Sequence, residues 1–302
     1  MAQKQRKIAV DQLRGVVNMG REAEESMEEP LHVMICVDTK CPRWLALALR
    51  DAFMPERDAR VDVCVLDGHP VVKNVDVGII ASGGSESLVR GAIRSFAGAR
   101  QHVIVVAETS LDIPETHLPA KLGQFIADVV ASEHGPLYDR LANALLDSTE
   151  KDVSCAANFA FCRDVATARL VSRVAARNAV MGVADFIPGA GMPLMTMNQI
   201  NMGFDIAATY GRGLSLGRAP EVAVIVAAGL LYREAAHLLM RIMPRMGLIT
   251  KIFVAYGGTL VTGRLLASHF VQGLPESDEE GAVEADSETI VAEAVVSEAV
   301  EA

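Results

Sequence analysis

Asp38, Lys40 and the run Ser82-Gly83-Gly84-Ser85 are the residues best suited to hold a phosphate. A phosphate site needs backbone amides that wrap the anion, a lysine for charge and a hydroxyl for magnesium. Ser82 to Ser85 places two glycines ahead of a helical pattern, so its amides could face an anion at a helix start. The same four residues also suit an N-cap and a tight turn. Asp38 ends an apolar run, where it could hold a metal or a hydroxyl, or act as a turn or cap residue. Asp67-Gly68 reads as a turn. The loop VDTKCPRW lacks glycine, and Pro42 removes one amide beside Lys40. No GxGxxG is present.

Other chemistries find less. Histidines at 32, 69, 102, 117, 134, 237 and 269 show no HExxH or other ligand spacing. Cysteines at 36, 41, 64, 155 and 162 match no zinc pattern, and their odd number suits a reduced, cytosol-facing protein. Cys36 and Cys64 fall inside apolar strands, where cysteine acts as a small hydrophobe. There is no nucleophile elbow. The expectation is a non-enzymatic chain without catalytic residues, cofactor or metal. Its candidate anion site is Ser82, Gly83, Gly84 and Ser85.

The elements that would position these residues are short Val/Ile-rich runs: LHVMICV (31–37), VDVCVL (61–66), VDVGIIA (75–81), HVIVVAE (102–108) and FIADVVA (125–131). Helical patterns at 42–53, 85–97 and 136–147 separate several of them. Continuous apolar strands alternating with helices predict a doubly wound parallel sheet of about five strands over 31–150. Before it, 4–28 reads as one helix ended by Pro30, giving an N-terminal helix over 1–30. The basic start MAQKQRK leads into an amphipathic run, so no signal peptide is expected.

Beyond 150 the strand signal ends. A long helix is predicted over 152–181, with Arg169, Arg173 and Arg177 four apart on one face. Asp185 to Pro193 is a Gly/Pro break, and three helices follow at roughly 193–210, 219–243 and 246–271. Residues 275–302 form a low-complexity acidic tail, disordered over 275–289. The α/β part is therefore followed by an all-α, strongly apolar helical module over 151–274.

The net charge of −10 is unevenly spread. Residues 1–150 carry 16 basic and 22 acidic side chains, residues 151–274 carry 12 and 6, and residues 275–302 carry none and 10. The most apolar region is thus the basic one. That combination suits an anionic lipid surface, where each nearby cation contributes about 1 kcal/mol. It also suits a bundle with an arginine-studded solvent face. A span needs about 20 apolar residues. The longest charge-free stretch, 186–204, contains Pro188, Pro193, Asn198, Gln199 and Asn201. Only 246–263, with Lys251 snorkelling, stretches to a marginal span. Re-entrant or interfacial placement fits these lengths better. Ala255, Thr259, Gly263 and Ala267 recur every four residues as a small-residue ridge for close helix packing. Asp185, Asp205, Asn198 and Asn201 are either functional sites in a bilayer or caps and buried polar pairs in a soluble core.

The segment FIPGAGMPLMTMNQINMGFDIAATYGRGLS, with LLYREAAHLLMRIMPRMGLITKIFVAYGGTLVTGRLLASHF, resembles the bacterial YcjF-like domain of unknown function. The matching features are Ile187 to Gly191 (including Pro188 and Gly189), Tyr210-Gly211, Leu231 to Ala235, Ile242-Met243-Pro244 and His269-Phe270. They spread over roughly 175–271. That family often follows Era-like GTPase domains and is usually described as membrane-associated. The resemblance implies that 31–150 is a degenerate GTPase-type fold. VMICVDTKCPRWLALAL stands where the P-loop strand and helix would lie, VIVVAETS where Asn-Lys-x-Asp would, and VVASEHG at the last guanine loop. None keeps the required residues, so nucleotide binding is not implied.

The expected function is a scaffold or regulator at the cytoplasmic face of the bacterial inner membrane. Its expected partners are anionic lipids, an unidentified protein and a second copy of the chain, without nucleic acid. The residues expected to matter in the helical module are Pro188, Gly189, Gly191, Asp205, Ala255, Thr259, Gly263 and Ala267. A soluble interaction protein and a divergent nucleotide switch at Asp38–Lys40 and Ser82–Ser85 are the alternatives.

Overall fold

Runs of valine and isoleucine that carry no polar alternation need covering on both faces, and crossover helices supply that cover. The computed structural model describes residues 2–67, 69–116, 118–184, 191–213, 224–225, 227–228, 231 and 248–272. All five predicted strands form: β1 (His32–Val37), β2 (Arg60–Val65), β3 (Val77–Ala81), β4 (His102–Ala107) and β5 (Ile126–Val130). They pair in parallel in the order β2-β1-β3-β4-β5, the order of a flavodoxin-like doubly wound sheet.

Preceding the sheet is α1 (Ala2–Met27). Between and after the strands run α2 (Arg43–Ala52), α3 (Glu86–Gly98), α4 (Ala120–Gly123), α5 (His134–Asp147), α6 (Asp152–Asn158), α7 (Arg163–Ala184), α8 (Gly191–Thr209) and α9 (Leu248–Gln272). Alternate strand residues feed opposite layers. Val33, Ile35, Ile79 and Ile104 pack with Leu45, Leu137 and Leu141. Cys36, Ile80, Val103 and Val105 pack with Ile93 and Phe96. Gly78 leaves room for the Phe96 ring against the sheet, since a Cβ there would sit 2.3 Å from it.

The chain divides into two compact units: Glu28–Ala166, and Met1–Met27 with Thr167–Ala302. The N-terminal helix forms as α1, which buries Ala23 and Met27 and packs on α8 within the second of these units. One expectation changes here. The predicted long helix over 152–181 is broken, and 151–166 belongs to the α/β unit. Phe159 turns extended (φ −123°, ψ 108°), which drives its ring to 5.1 Å from Phe53. Asn158 then accepts the Ala59 amide at 2.9 Å. Burial of one aromatic ring contributes about 2–3 kcal/mol, against about 0.5–1.5 kcal/mol net for each helical bond lost.

The predicted helices over 193–210 and 246–271 appear as α8 and α9. The helix over 219–243 lies almost wholly outside the described residues, as do Asp185, Pro188, Gly189 and the acidic tail. Gly191 opens α8. Among the described residues, no helix is long and apolar enough to cross a membrane.

Candidate functional site

In a doubly wound sheet, ligands bind outside the carboxyl ends of the strands where the strand order reverses. Here that point lies between β1 and β3. Asp38 follows β1, and Ser82 to Ser85 follows β3. The structure brings them together. Asp38 is 1% exposed. Its Oδ2 accepts the amides of Gly83 at 2.9 Å and Ser85 at 3.0 Å. Its Oδ1 accepts the Ser85 hydroxyl at 2.9 Å and the Lys40 amide at 3.1 Å. The amides expected to face an external anion are bound to the chain's own carboxylate.

The two loops are pressed together to allow this. A Cβ on Gly83 would lie 2.1 Å from the Lys40 carbonyl carbon, so only glycine fits. Gly84 turns the chain at φ +86°. Ser85 stands at the N-cap position of α3, but its hydroxyl makes no cap bond and donates to Asp38. Burial pushes the Asp38 carboxyl up. The hydrogen bonds from Lys40, Ser85 and Gly83 outweigh it and hold the carboxyl below its ordinary value.

Beside this closed crevice, Trp44 Nε1 donates to Glu108 Oε1 at 3.0 Å, and the His134 ring lies 5.4 Å from Trp44. Burial, with Asp38 nearby, pushes the Cys41 thiol up to about 11. It stays protonated near neutrality and is a poor nucleophile. Among the described residues no group of three His, Cys, Asp or Glu side chains could hold a metal.

In the other unit, the ridge on α9 is used within the chain. Ala255 packs against Met195 and Met181. Thr259 is fully buried and joins three helices. Its hydroxyl accepts Asn178 Nδ2 of α7 at 3.0 Å and Gln199 Nε2 of α8 at 2.7 Å, and donates to the Ala255 carbonyl at 2.8 Å. Asn198 Nδ2 donates to Asn178 Oδ1 at 2.8 Å. Ala267 is half-buried at the ridge's end. Asn198 is therefore part of a buried polar node, and Asn201 donates to Asp205 at 3.3 Å. Asn178 was not singled out by sequence, because an Asn in an Arg-rich helix carries no period of its own.

Gly263 faces Val171 of α7. A Cβ there would lie 2.5 and 2.6 Å from the two valine methyls. Valine is stiff about χ1, so the helices themselves must part. Gly263→Leu is expected to lower stability by at least about 2 kcal/mol, read as a lower urea midpoint for loss of helix signal.

The face of α9 opposite the ridge was also missed. Val261 is 59% exposed and Leu265 65%, with Arg264 exposed at their flank. The spacing does carry this signal: Val261 and Leu265 are each two residues from a ridge position, half a helical turn away. Comparisons with protein-family models, curated proteins and solved structures find no match for this chain.

Proposed function

We propose that this chain is a non-enzymatic scaffold or regulator that lies on an anionic membrane surface through its helical unit. The observation that carries the reading is the outward face of α9, where Val261 and Leu265 stand exposed with Arg264 at their flank. Apolar side chains beside a cation are what an interfacial helix presents to lipid headgroups and the upper acyl chains. The excess of basic over acidic side chains in 167–274 supports attraction to anionic lipid. So does the resemblance of roughly 175–271 to the YcjF-like domain. Among the described residues no helix is both long and apolar enough to span, which favours lying on the leaflet. In a bacterial cell the surface would be the cytoplasmic face of the inner membrane.

The α/β unit fits a docking or regulatory role in this reading. Its strand order is compatible with a degenerate GTPase-type domain, and its switch point holds an internal carboxylate where a nucleotide phosphate would need the amides.

The test is flotation of the purified full chain with vesicles of phosphatidylglycerol and phosphatidylcholine mixed, and of phosphatidylcholine alone. Binding is expected to the anionic vesicles, to weaken with salt, and to fall about tenfold in Val261→Asp/Leu265→Asp, from lost apolar burial and added negative charge. Equal binding of the double variant, or binding indifferent to lipid charge, overturns the role of this face. No binding to either vesicle favours a soluble interaction protein whose partner covers α9.

A further inference from the structure

The edge of the sheet holds a pair of thiols that nothing above uses. Cys36 of β1 and Cys64 of β2 are register partners in neighbouring parallel strands. Their sulfurs lie 3.3 Å apart. Cys36 is buried, whereas Cys64 is exposed at the edge, where reagents in solution reach it. The remaining three thiols are elsewhere: Cys41 is half-buried, and Cys155 and Cys162 are buried.

Neighbouring strands hold their Cα atoms about 4.8 Å apart, inside the window of roughly 4.4–6.8 Å that a disulfide requires. The sulfurs need approach by little more than 1 Å to reach the bonding distance of about 2.05 Å. Side-chain rotation within the pair supplies that distance, and Cys64 has open space on its outer side. We infer that Cys36 and Cys64 are an oxidisable pair that closes into an intrachain disulfide with a small-molecule disulfide of the glutathione class.

The steps balance. The Cys64 thiol loses its proton and the thiolate attacks one sulfur of the small disulfide. The first small thiolate leaves and takes up a proton. Cys36 then loses its proton, and its thiolate attacks Cys64 Sγ in the mixed disulfide. The second small thiolate leaves and is protonated. Two protein thiols are oxidised by two electrons, and one small disulfide is reduced to two thiols. Exposure selects Cys64 for the first attack. Burial, and the Cys64 thiol and Asp67 beside it, push the Cys36 thiol far above its usual range, so the second step is the slow one. Proximity compensates by making that step intramolecular. A bond across adjacent strands is constrained and lies at an exposed edge. Such disulfides are the reducible ones, so the closure is reversible. It would tie the edge strand β2 to β1, beside the exposed Val63 and Val65.

The experiment incubates the reduced full chain with oxidised glutathione, quenches with an alkylating agent under denaturing conditions, and maps peptides by mass spectrometry. The expected result is a fall from five alkylated thiols to three, with Cys36 and Cys64 peptides joined and the chain still monomeric on a non-reducing gel. Cys36→Ser should instead hold glutathione on Cys64 as a lasting adduct. Cys64→Ser, at an exposed position, should leave the other four thiols free. Five free thiols in the wild type, a disulfide between two copies through Cys64, or a lasting adduct on wild-type Cys64 would each overturn the inference.

Discussion

Asp38→Ala is expected to cost the α/β unit about 3–5 kcal/mol, the scale seen when one member of a buried charged network is removed. Four donors converge on this carboxylate, three of them backbone amides. Alanine leaves those donors without an acceptor in a place water does not reach, since Asp38 is 1% exposed. Each orphaned buried donor costs about 1–3 kcal/mol, and partial relaxation of the loops recovers some of the sum. Asp38→Asn should fall between wild type and alanine: it keeps one acceptor oxygen but turns an NH2 group toward amides that also donate. Urea midpoints at pH 7 for the three proteins would show the order. An unchanged midpoint for alanine would mean that the loops stay together without the carboxylate.

The pH dependence of this contribution has a definite sign. The folded carboxyl is held below its unfolded value, so the contribution is present above the ordinary 3.8 and is lost as pH falls through the folded value. The gap between wild type and Asp38→Ala should therefore be full near neutrality and shrink only in acid. This behaviour separates a captured carboxylate from a polar residue that merely fills space.

The sheet was legible because its signal is local and redundant. Each strand is a run such as VIVVA, too short for a helix and apolar on both faces, and turn residues bound it. The break at Phe159 was not legible, because 152–181 has a helical pattern throughout. What overrides it is the position of one ring against Phe53, about a hundred residues away in sequence. The switch point was half legible. The glycines of Ser82 to Ser85 announce amides with room for an anion, but not whose anion they hold. Asp38 was visible as the residue ending β1, and only the register of β1 against β3 puts the two loops side by side. On α9 the ridge was legible as a four-residue spacing. Its partner was not, since Val171 and Asn178 lie in a helix whose arginines dominate its pattern.

Asp205→Asn is expected to raise stability at neutral pH and to flatten the helical unit's pH profile. Asp205 contrasts with Asp38. Both carboxyls lose water, but Asp38 gains four donors, whereas Asp205 has Asn201 Nδ2 at 3.3 Å. Burial therefore dominates and raises the Asp205 carboxyl from 3.8 to about 6; Arg173 and Arg177 pull it down, and Glu22 of α1 pushes it up. A raised acid carries the opposite linkage to Asp38. The folded state holds the proton that the unfolded state has released, so stability falls as pH rises from about 4 to about 6 and then levels. A rise of that size corresponds to roughly 3 kcal/mol withheld from the folded state above pH 6. Asparagine keeps an oxygen for Asn201 and carries no charge to desolvate. Its variant should be about 1–3 kcal/mol more stable than wild type at pH 8 and nearly equal to it at pH 4. Urea midpoints for loss of helix signal at the two pH values read this directly. A variant no more stable at pH 8 than wild type would show that Arg173 and Arg177 already neutralise the carboxylate, and that Asp205 is held there as an ion.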